Sequence, residues 1–340
     1  MFRLWGSLAV IAAVLLSANA TSAQDYYAGK TIRIVVGFSA GGGFDTYARA
    51  IGRHMGKHIP GQPTIVVENM TGAGSLIAAN HLFRVAKPDG LTIGHFIGGL
   101  FLGQVLGQKG VEFDARKFEY IGAPVTDHVV CAMTKASGIT GVDKWLASKA
   151  PVKLGGVAPG ASTPDNATRI FKAALGLPIQ LVTGYKGTAD VRLAAESGEL
   201  AGGCWGWDSV KVTWRKALDS GNAVVVLQAN RKNHPDLSKI PQAISLAKTD
   251  EARKMIEVGI HGDSEIVRTY TLPPGTPKDR VQVLRKAFEE TLKDPDFLAD
   301  AKKSDLSVDF VPGEEIEKII SGLFKLDASL VNKLKDVLYN

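Results

Sequence analysis

The apolar positions of the chain fall into short runs that alternate with amphipathic segments. In the first third, residues 32–37, 64–68 and 91–96 form apolar runs of strand length, bounded by polar residues, glycine or proline. Between them, residues 44–58 and 76–86 place apolar side chains at helical spacing. The alternation of strand and helix predicts parallel sheets covered by helices on both faces.

The same alternation returns in the middle of the chain and then gives way to helices. Predicted strands lie at residues 128–133, 152–157, 179–182 and 222–228, and predicted helices at 142–148, 166–175 and 188–197. The last roughly 70 residues are mostly helical by their apolar spacing, and Pro277, Pro295 and Pro312 stand where helices can begin. The pattern therefore predicts an α/β protein with two strand–helix units and a helical tail.

The N-terminus has a different character from the rest of the chain. Arg3 precedes an apolar stretch at residues 4–18, which ends in the small-residue pattern Ala-Asn-Ala-Thr-Ser-Ala. This layout is typical of a secretory signal peptide, because the apolar stretch is shorter than the ~20 residues that a membrane-spanning helix needs. We predict a signal peptide at residues 1–23, cleaved after Ala23 or Ala20, with a retained membrane anchor as the alternative. The mature chain is expected to be soluble and exported.

Composition and charge narrow the class of protein. The 340 residues are 45% hydrophobic and 22% charged, which is ordinary for a globular protein of one large or two medium domains. The formal net charge is +6, and no basic stripe interleaved with aromatic residues is present. Nucleic acid is therefore not expected as a partner. Cys131 and Cys204 form either a disulfide or two buried thiols, since an exported compartment permits a bridge and their spacing does not decide it.

Candidate chemistry lies in four glycine-containing loops, each between a predicted strand and a predicted helix. They read FSAGGGFD, NMTGAGS, APGASTPDN and TGYKGTAD, at residues 38–45, 69–75, 158–166 and 183–190. Glycine lets backbone N–H groups face a ligand, and a helix N-terminus adds unpaired N–H donors and the positive end of its dipole. Ligands of open parallel sheets bind beyond the carboxyl ends of the strands. These loops predict a site for a small carboxylate in a cleft between two lobes.

Several motifs in register resemble one family over nearly the whole mature chain. They are KTIRIVVGFSAGGGFDTYAR, GQPTIVVENMTGAGSLIAAN, KPDGLTIG, GYKGTADVRLAAESGEL and LPPGTPKDRVQVLRKAFEETLKDPDF. The chain is similar to the extracytoplasmic solute receptors of the tripartite tricarboxylate transporters, or Bug receptors. The resemblance implies a two-lobed type II periplasmic binding protein, a Venus flytrap in which each lobe is a central sheet flanked by helices. It also implies a periplasmic location, a small carboxylate ligand, and delivery to a membrane permease with a large and a small subunit.

The resemblance further implies which residues contact the ligand. In that family, backbone amides of the first glycine loop and of the Tyr-Lys-Gly loop hold carboxylate oxygens, and two further loops contribute. The corresponding residues here are Ser39, Ala40, Gly41, Gly42, Gly43, Phe44, Asp45, Thr46, Gly74, Ser75, Ser162, Thr163, Tyr185, Lys186, Gly187 and Thr188. The segment GGCWGWDS at residues 202–209 departs from the usual family pattern. Within it, Trp207 and Asp208 are candidate ligand contacts, with core packing and helix capping as the alternatives.

The expected organisation is a monomer with one discontinuous lobe. Lobe 1 is predicted at residues 24–126 and 228–340, and lobe 2 at residues 127–227. Ligand binding is expected to close the cleft by hinge motion, because a ligand that bridges both lobes favours the closed form.

The chief alternative is a secreted α/β enzyme acting on a small anionic substrate. Thr46 stands where the third glycine of a dinucleotide fingerprint belongs. Neither Ser75 nor Ser162 lies in the Gly-x-Ser-x-Gly sequence of a hydrolase. His54 and His58 share a helical face but lack a third metal ligand. We therefore expect a binding protein rather than an enzyme, with no catalytic residue, no cofactor and no metal.

Overall fold

A computed structural model describes residues 26–158, 163–231 and 234–339, and its strands form two sheets. The predicted signal peptide at residues 1–23 lies outside the described residues. In chain order the strands are β1 Thr31–Val36, β2 Thr64–Asn69, β3 Thr92–His95, β4 Glu119–Ala123, β5 Val129–Thr134, β6 Val152–Gly155, β7 Ile179–Val182, β8 Gly202–Gly206, β9 Ala223–Ala229, β10 Tyr270–Leu272 and β11 Val311–Pro312. The first sheet has the order β11-β4-β10-β3-β1-β2, and the second has the order β7-β6-β8-β5-β9.

Helices follow most of the strands and cover the sheets. They are α1 Gly43–Met55, α2 Leu76–Arg84, α3 Gly99–Val105, α4 Val142–Leu146, α5 Thr163–Leu175, α6 Thr188–Glu196, α7 Trp207–Asp219, α8 Ala243–Leu246, α9 Asp250–Ile256, α10 Lys278–Lys293, α11 Pro295–Lys303, α12 Gly313–Leu323 and α13 Ala328–Tyr339. In the part of the chain that the structure describes, none of them has the length and apolar character needed to cross a membrane.

Most predicted elements are present, with ends that differ by a few residues. The strand at residues 179–182 and the start of the helix at Thr188 are as predicted. Pro295 is the first residue of α11, and Pro277 and Pro312 directly precede α10 and α12. Proline suits these positions because its missing N–H would have no intrahelical partner there.

Both sheets are mixed, so the prediction of parallel sheets was wrong at three strands. In the first sheet, β10 lies antiparallel between β3 and β4, and β11 is antiparallel to β4. In the second sheet, β5 lies antiparallel between β8 and β9. In chain order, β5 and β10 are each the first strand after the chain passes from one sheet to the other. A strand that arrives in this way has no crossover helix from a neighbour in its own sheet, and nothing requires it to run parallel.

The C-terminal helices are divided between the two sheets. Helix α12 packs on β4 of the first sheet, whereas α9 and α13 pack against α5, which belongs to the second strand–helix unit. Leu330, Leu334 and Leu338 form the buried stripe of α13. The predicted lobe boundaries at residues 126 and 228 stay predictions, because α9 and α13 fall in predicted lobe 1 but pack against α5 of predicted lobe 2.

A disulfide joins Cys131 to Cys204, which decides between the two alternatives that the sequence left open. The two residues lie directly opposite each other in the antiparallel pair β5 and β8, and both are fully buried. The bridge links positions 73 residues apart. The bridge joins β5, the antiparallel strand of the second sheet, to β8, the strand that directly precedes α7.

Replacing both cysteines by alanine is expected to lower the free energy of unfolding by about 2–4 kcal/mol, because the unfolded chain regains the freedom of a long loop. Equilibrium denaturation of the double variant and the wild-type protein measures the difference. Adding a reductant should bring the wild-type protein toward the variant and leave the variant unchanged. Equal stability of the two proteins under oxidising conditions would contradict the prediction.

Candidate functional site

A narrow cavity of about 30 Å³ lies between the two sheets. Seven of its fourteen lining residues are apolar, four are glycines, and the other three are Thr188, Ser209 and Asp127. The first sheet and its loops contribute Phe38, Gly42, Gly43, Phe44, Ile97 and Val267, and the second unit contributes Val157, Pro164, Gly187, Thr188, Trp205, Gly206 and Ser209. Asp127 lies in the segment that connects β4 to β5. This is room for about one or two water molecules, so the cleft must open before a small-molecule ligand can enter it.

Three helices begin at this cavity, each preceded by a glycine. Gly42 precedes α1, Gly187 precedes α6 and Gly206 precedes α7, and all three glycines line the cavity. A glycine cap offers no side-chain oxygen to the N–H groups of the first turn, so at α1 and α6 these donors are left for another acceptor. At the start of α7, the N–H of Trp207 donates to the carbonyl of His128 over 2.6 Å. The N-termini of α1 and α6 together make a surface suited to an anion.

The loops that carry α1 and α6 contact each other directly. The backbone N–H of Ser39 donates to the carbonyl of Lys186 over 3.2 Å, and the Ser39 hydroxyl donates to Asp190 over 2.9 Å. At the next point of contact, Gly43 faces Ser209 of α7. A Cβ atom added to Gly43 would lie 2.2 Å from the Ser209 hydroxyl and 2.9 Å from its Cα. Glycine at position 43 is therefore required by the close approach of α1 to α7.

A buried arginine lies beside the cavity. Arg268 is completely inaccessible to solvent, and its Nη2 donates to Ser209 Oγ over 2.8 Å and lies 3.2 Å from Asp127 Oδ2. Its guanidinium stands 4.8 Å from the centre of the Phe44 ring and 5.0 Å from that of Tyr47. Burial raises the pKa of Asp127, and Arg268 opposes this rise. The carboxylate form of Asp127 is the counter-ion that a buried guanidinium requires.

A hydrogen-bond network around Asp208 connects the two sides of the cleft. Asp208 of α7 lies 2.5 Å from the Tyr47 hydroxyl of α1, which donates to it, and 2.8 Å from Lys211 Nζ. Ser307 Oγ donates to the other carboxylate oxygen over 2.8 Å. Burial raises the pKa of Asp208, but Lys211 and Arg268 outweigh it and hold that pKa below its ordinary value. The network therefore links α1, α7 and the chain that follows α11.

His95 supports the cavity from behind Phe44. Its ring stacks on Tyr270 at 4.1 Å between centroids and lies 4.8 Å from the Phe44 ring. Its Nδ1 lies 3.0 Å from the carbonyl oxygen of Thr269. Burial lowers the pKa of His95 to about 3, so the ring is neutral at physiological pH. This histidine packs the wall and adds no charge to it.

Five of the predicted site residues share the cavity: Gly42, Gly43, Phe44, Gly187 and Thr188. Others in the first loop hold its shape. Asp45 accepts the N–H of Gly41 over 2.9 Å, and Thr46 Oγ1 donates to the carbonyl of Gly42. Ala40 is exposed at the tip of the loop. Ligand contact by these residues stays a prediction.

The remaining predicted residues lie away from the cavity lining. Ser75 follows Gly74 and accepts the N–H of Ile97, and Tyr185 donates its hydroxyl to Glu199. Lys186 is exposed. Trp207 donates its indole N–H to Asp236 over 3.2 Å, and Asp208 is engaged in the network with Tyr47. Thr163 is the first residue of α5, and Ser162 lies outside the described residues, as do Gly160 and Ala161 of the same loop.

Sequence reasoning missed the buried charges of the site. Asp127 directly precedes an apolar strand in TDHVVCAM, and Arg268 interrupts the apolar run in EIVRTYTL. A charged residue inside an apolar run is a signal for a buried ion pair, because such a residue is rarely buried without a partner. Trp205 lines the cavity, whereas Trp207, which the sequence indicated as a candidate contact, does not.

Comparisons with known proteins agree with this architecture. The sequence profile of the tripartite tricarboxylate transporter family receptors matches residues 47–335. A relative from Cupriavidus necator, described as a UPF0065 protein in the gbd 5' region, is 25% identical over 97% of this chain and 95% of its own.

Two solved structures have the same fold. The periplasmic binding protein BugD has a TM-score of 0.72 at 22% identity, covering 92% of this chain and 98% of its own. MatC from Rhodopseudomonas palustris with bound malate has a TM-score of 0.71 at 18% identity, covering 91% and 99%. Two sheets of mixed strand direction with a cavity between them define the class: this is a two-lobed type II periplasmic binding protein fold.

The chain belongs to the tripartite tricarboxylate transporter receptor family. This membership confirms the resemblance on which the sequence interpretation rested. The family and the fold are those of periplasmic solute-binding receptors.

Proposed function

We propose that this protein captures a small carboxylate in the cavity between its lobes and delivers it to a tripartite permease. The observation that carries the proposal is the convergence of three glycine-led helix N-termini, those of α1, α6 and α7, on one cavity. Unpaired N–H groups at helix N-termini bind carboxylates well, and an enclosed site strengthens these bonds. Two R. palustris structures of the same fold are described with malate and with adipate, both small carboxylates.

Delivery would follow from closure of the two lobes. The ligand would bridge the first glycine loop and the Tyr-Lys-Gly loop, so that its binding favours the closed form. A permease with a large and a small subunit would then recognise that form. We propose residues 24–126 and 228–340 as lobe 1 and 127–227 as lobe 2, with export to the periplasm by a signal peptide at 1–23.

The test compares two substitutions in adjoining loops. Gly42→Val is expected to weaken carboxylate binding about tenfold, because Gly42 lines the cavity and a Cβ at this position already lies 3.3 Å from Thr188 Oγ1. Lys186→Ala is expected to change the affinity less than twofold, since Lys186 is exposed and contributes its backbone to the loop contact. Calorimetry with malate, adipate, hexanoate, benzoate and terephthalate measures both effects. An equal or larger loss for Lys186→Ala would contradict a site built from backbone amides.

A further inference from the structure

We propose that the ligand carries a single carboxylate on an apolar body, and that Asp127 disfavours acids with a second carboxylate. This inference rests on the proposed function, because it specifies which carboxylates the same cavity accepts. It separates this chain from its structural neighbours, two of which are described with the dicarboxylates malate and adipate.

The wall of the cavity is the first argument. Phe38, Phe44, Ile97, Val157 and Val267 line it, and all five are buried. The N–H donors are confined to the helix N-termini at Gly43 and Thr188, since the N–H of Trp207 donates to the carbonyl of His128. One end of the ligand is therefore offered hydrogen-bond donors, and the remaining surface is suited to carbon. A polar second group placed against such a wall would lose its water without gaining a partner.

The charges around the cavity are the second argument. Among the described residues, the lining includes no lysine, arginine or histidine. A second carboxylate on the ligand would therefore meet no basic side chain in the lining. Binding a dicarboxylate in an enclosed site without such a partner is unfavourable.

Asp127 adds a like charge to this surface. It is 4% exposed, and its two oxygens take the His128 N–H over 3.1 Å and Arg268 Nη2 over 3.2 Å. The side chain lies against the start of α7, because a Cβ added to Gly206 would fall 2.2 Å from both carboxylate oxygens. A second carboxylate in the same cavity would be repelled by this group, and the low dielectric of the site would strengthen the repulsion.

The nearest cation offsets part of this repulsion but is not available to a second carboxylate. Arg268 is fully buried, does not line the cavity, and stands behind the Phe44 ring, where its charge is balanced by Asp127. Lys211, the other cation nearby, is partly buried and is paired with Asp208 at 2.8 Å. Both cations therefore have a carboxylate of the protein as partner, and neither is presented to a ligand.

The experiment uses pairs of acids that differ only in the second carboxylate. Hexanoate is compared with adipate, and benzoate with terephthalate, by calorimetry on the full mature chain at pH 8. The pair that contains the tightest-binding acid decides the test. In that pair, the monocarboxylate is expected to bind at least about 30-fold more strongly than the dicarboxylate. A dicarboxylate that binds as tightly as its partner, or more tightly, overturns this inference and leaves the carboxylate receptor intact. Failure of all four acids and of malate to bind contradicts both the inference and the proposed function.

Substitution of the acid tests its role separately. Asp127→Asn keeps the shape of the side chain and is expected to reduce the discrimination at least tenfold, mainly through tighter binding of the dicarboxylate. The control is Asp219→Asn, which removes the same charge from a side chain on α7 that is 72% exposed and away from the cavity. The control should keep the wild-type ratio of monocarboxylate to dicarboxylate affinity.

The outcomes of the Asp127→Asn experiment are distinct. If the variant folds, as judged by its melting curve, and keeps the wild-type affinity ratio, Asp127 is not the discriminating group. If it does not fold, the comparison of matched acids on the wild-type protein decides the inference.

Discussion

Replacing Arg268 by methionine is expected to lower the free energy of unfolding by about 3–5 kcal/mol. The substitution keeps most of the apolar volume of the side chain but leaves Asp127 buried without its counter-ion. It also removes the hydrogen bond to Ser209 and the stacking on Phe44 and Tyr47. The loss is large because an isolated buried carboxylate can neither be solvated nor be paired.

Chemical denaturation of the Arg268→Met protein measures the loss, and a second arginine provides the control. Arg53 pairs with Asp300 at 2.7 Å, but its side chain is 53% exposed. Arg53→Met should therefore cost less than about 1 kcal/mol, because surface ion pairs are screened by water. Similar losses for the two variants would show that the buried position of Arg268 has no special importance.

Replacing Gly43 by alanine is expected to weaken carboxylate binding by about 10- to 100-fold, while the protein stays folded. The new methyl group would overlap Ser209, both at the hydroxyl and at the Cα atom, so α1 and α7 must move apart. Overpacking of this kind typically costs about 1–3 kcal/mol. That cost falls on the closed form, where the two helices touch, and it would be relieved when the cleft opens.

Two measurements check the Gly43→Ala prediction. Calorimetry with the tightest-binding acid of the series gives the affinity, and small-angle X-ray scattering of the ligand-free protein should report a larger radius of gyration for the variant. Gly322→Ala on α12 is the matched control, because a Cβ there meets nothing within 4 Å. Its affinity should stay within twofold of the wild-type value. Unchanged affinity and unchanged scattering for Gly43→Ala would contradict a clash between the lobes.

The sequence predicted the repeating elements well because their signals are local. A short apolar run predicts β7, and a glycine before a helical pattern predicts the start of α6. Proline likewise predicts the start of α11, and none of these signals depends on distant residues. Strand β8 was harder to recognise. Its sequence GGCWG has little β propensity, and it is a strand because β5 and β6 pair with it on both sides.

The charges of the site depended on contacts between distant parts of the chain. Arg268 and Asp127 are 141 positions apart, and Tyr47 and Asp208 are 161 apart. No spacing rule connects such residues, so the sequence could indicate that Arg268 is unusual but not which acid it meets. Glycine loops were easier to find, since each one carries its own strand–turn–helix signature. The first and last of these loops meet at Ser39 and Lys186, which only the folded chain reveals.

The pairing of β5 with β8 has a consequence for the order of events on binding. Asp127 precedes β5 by two residues, and Val129 lies opposite Gly206, the glycine at which β8 ends and α7 begins. The disulfide two residues further along fixes these two strands to each other. This wall of the receptor is therefore assembled before any solute arrives, and Asp127 keeps a fixed position relative to the start of α7. We expect a solute to meet this wall already formed, with the approach of Gly43 completing the enclosure.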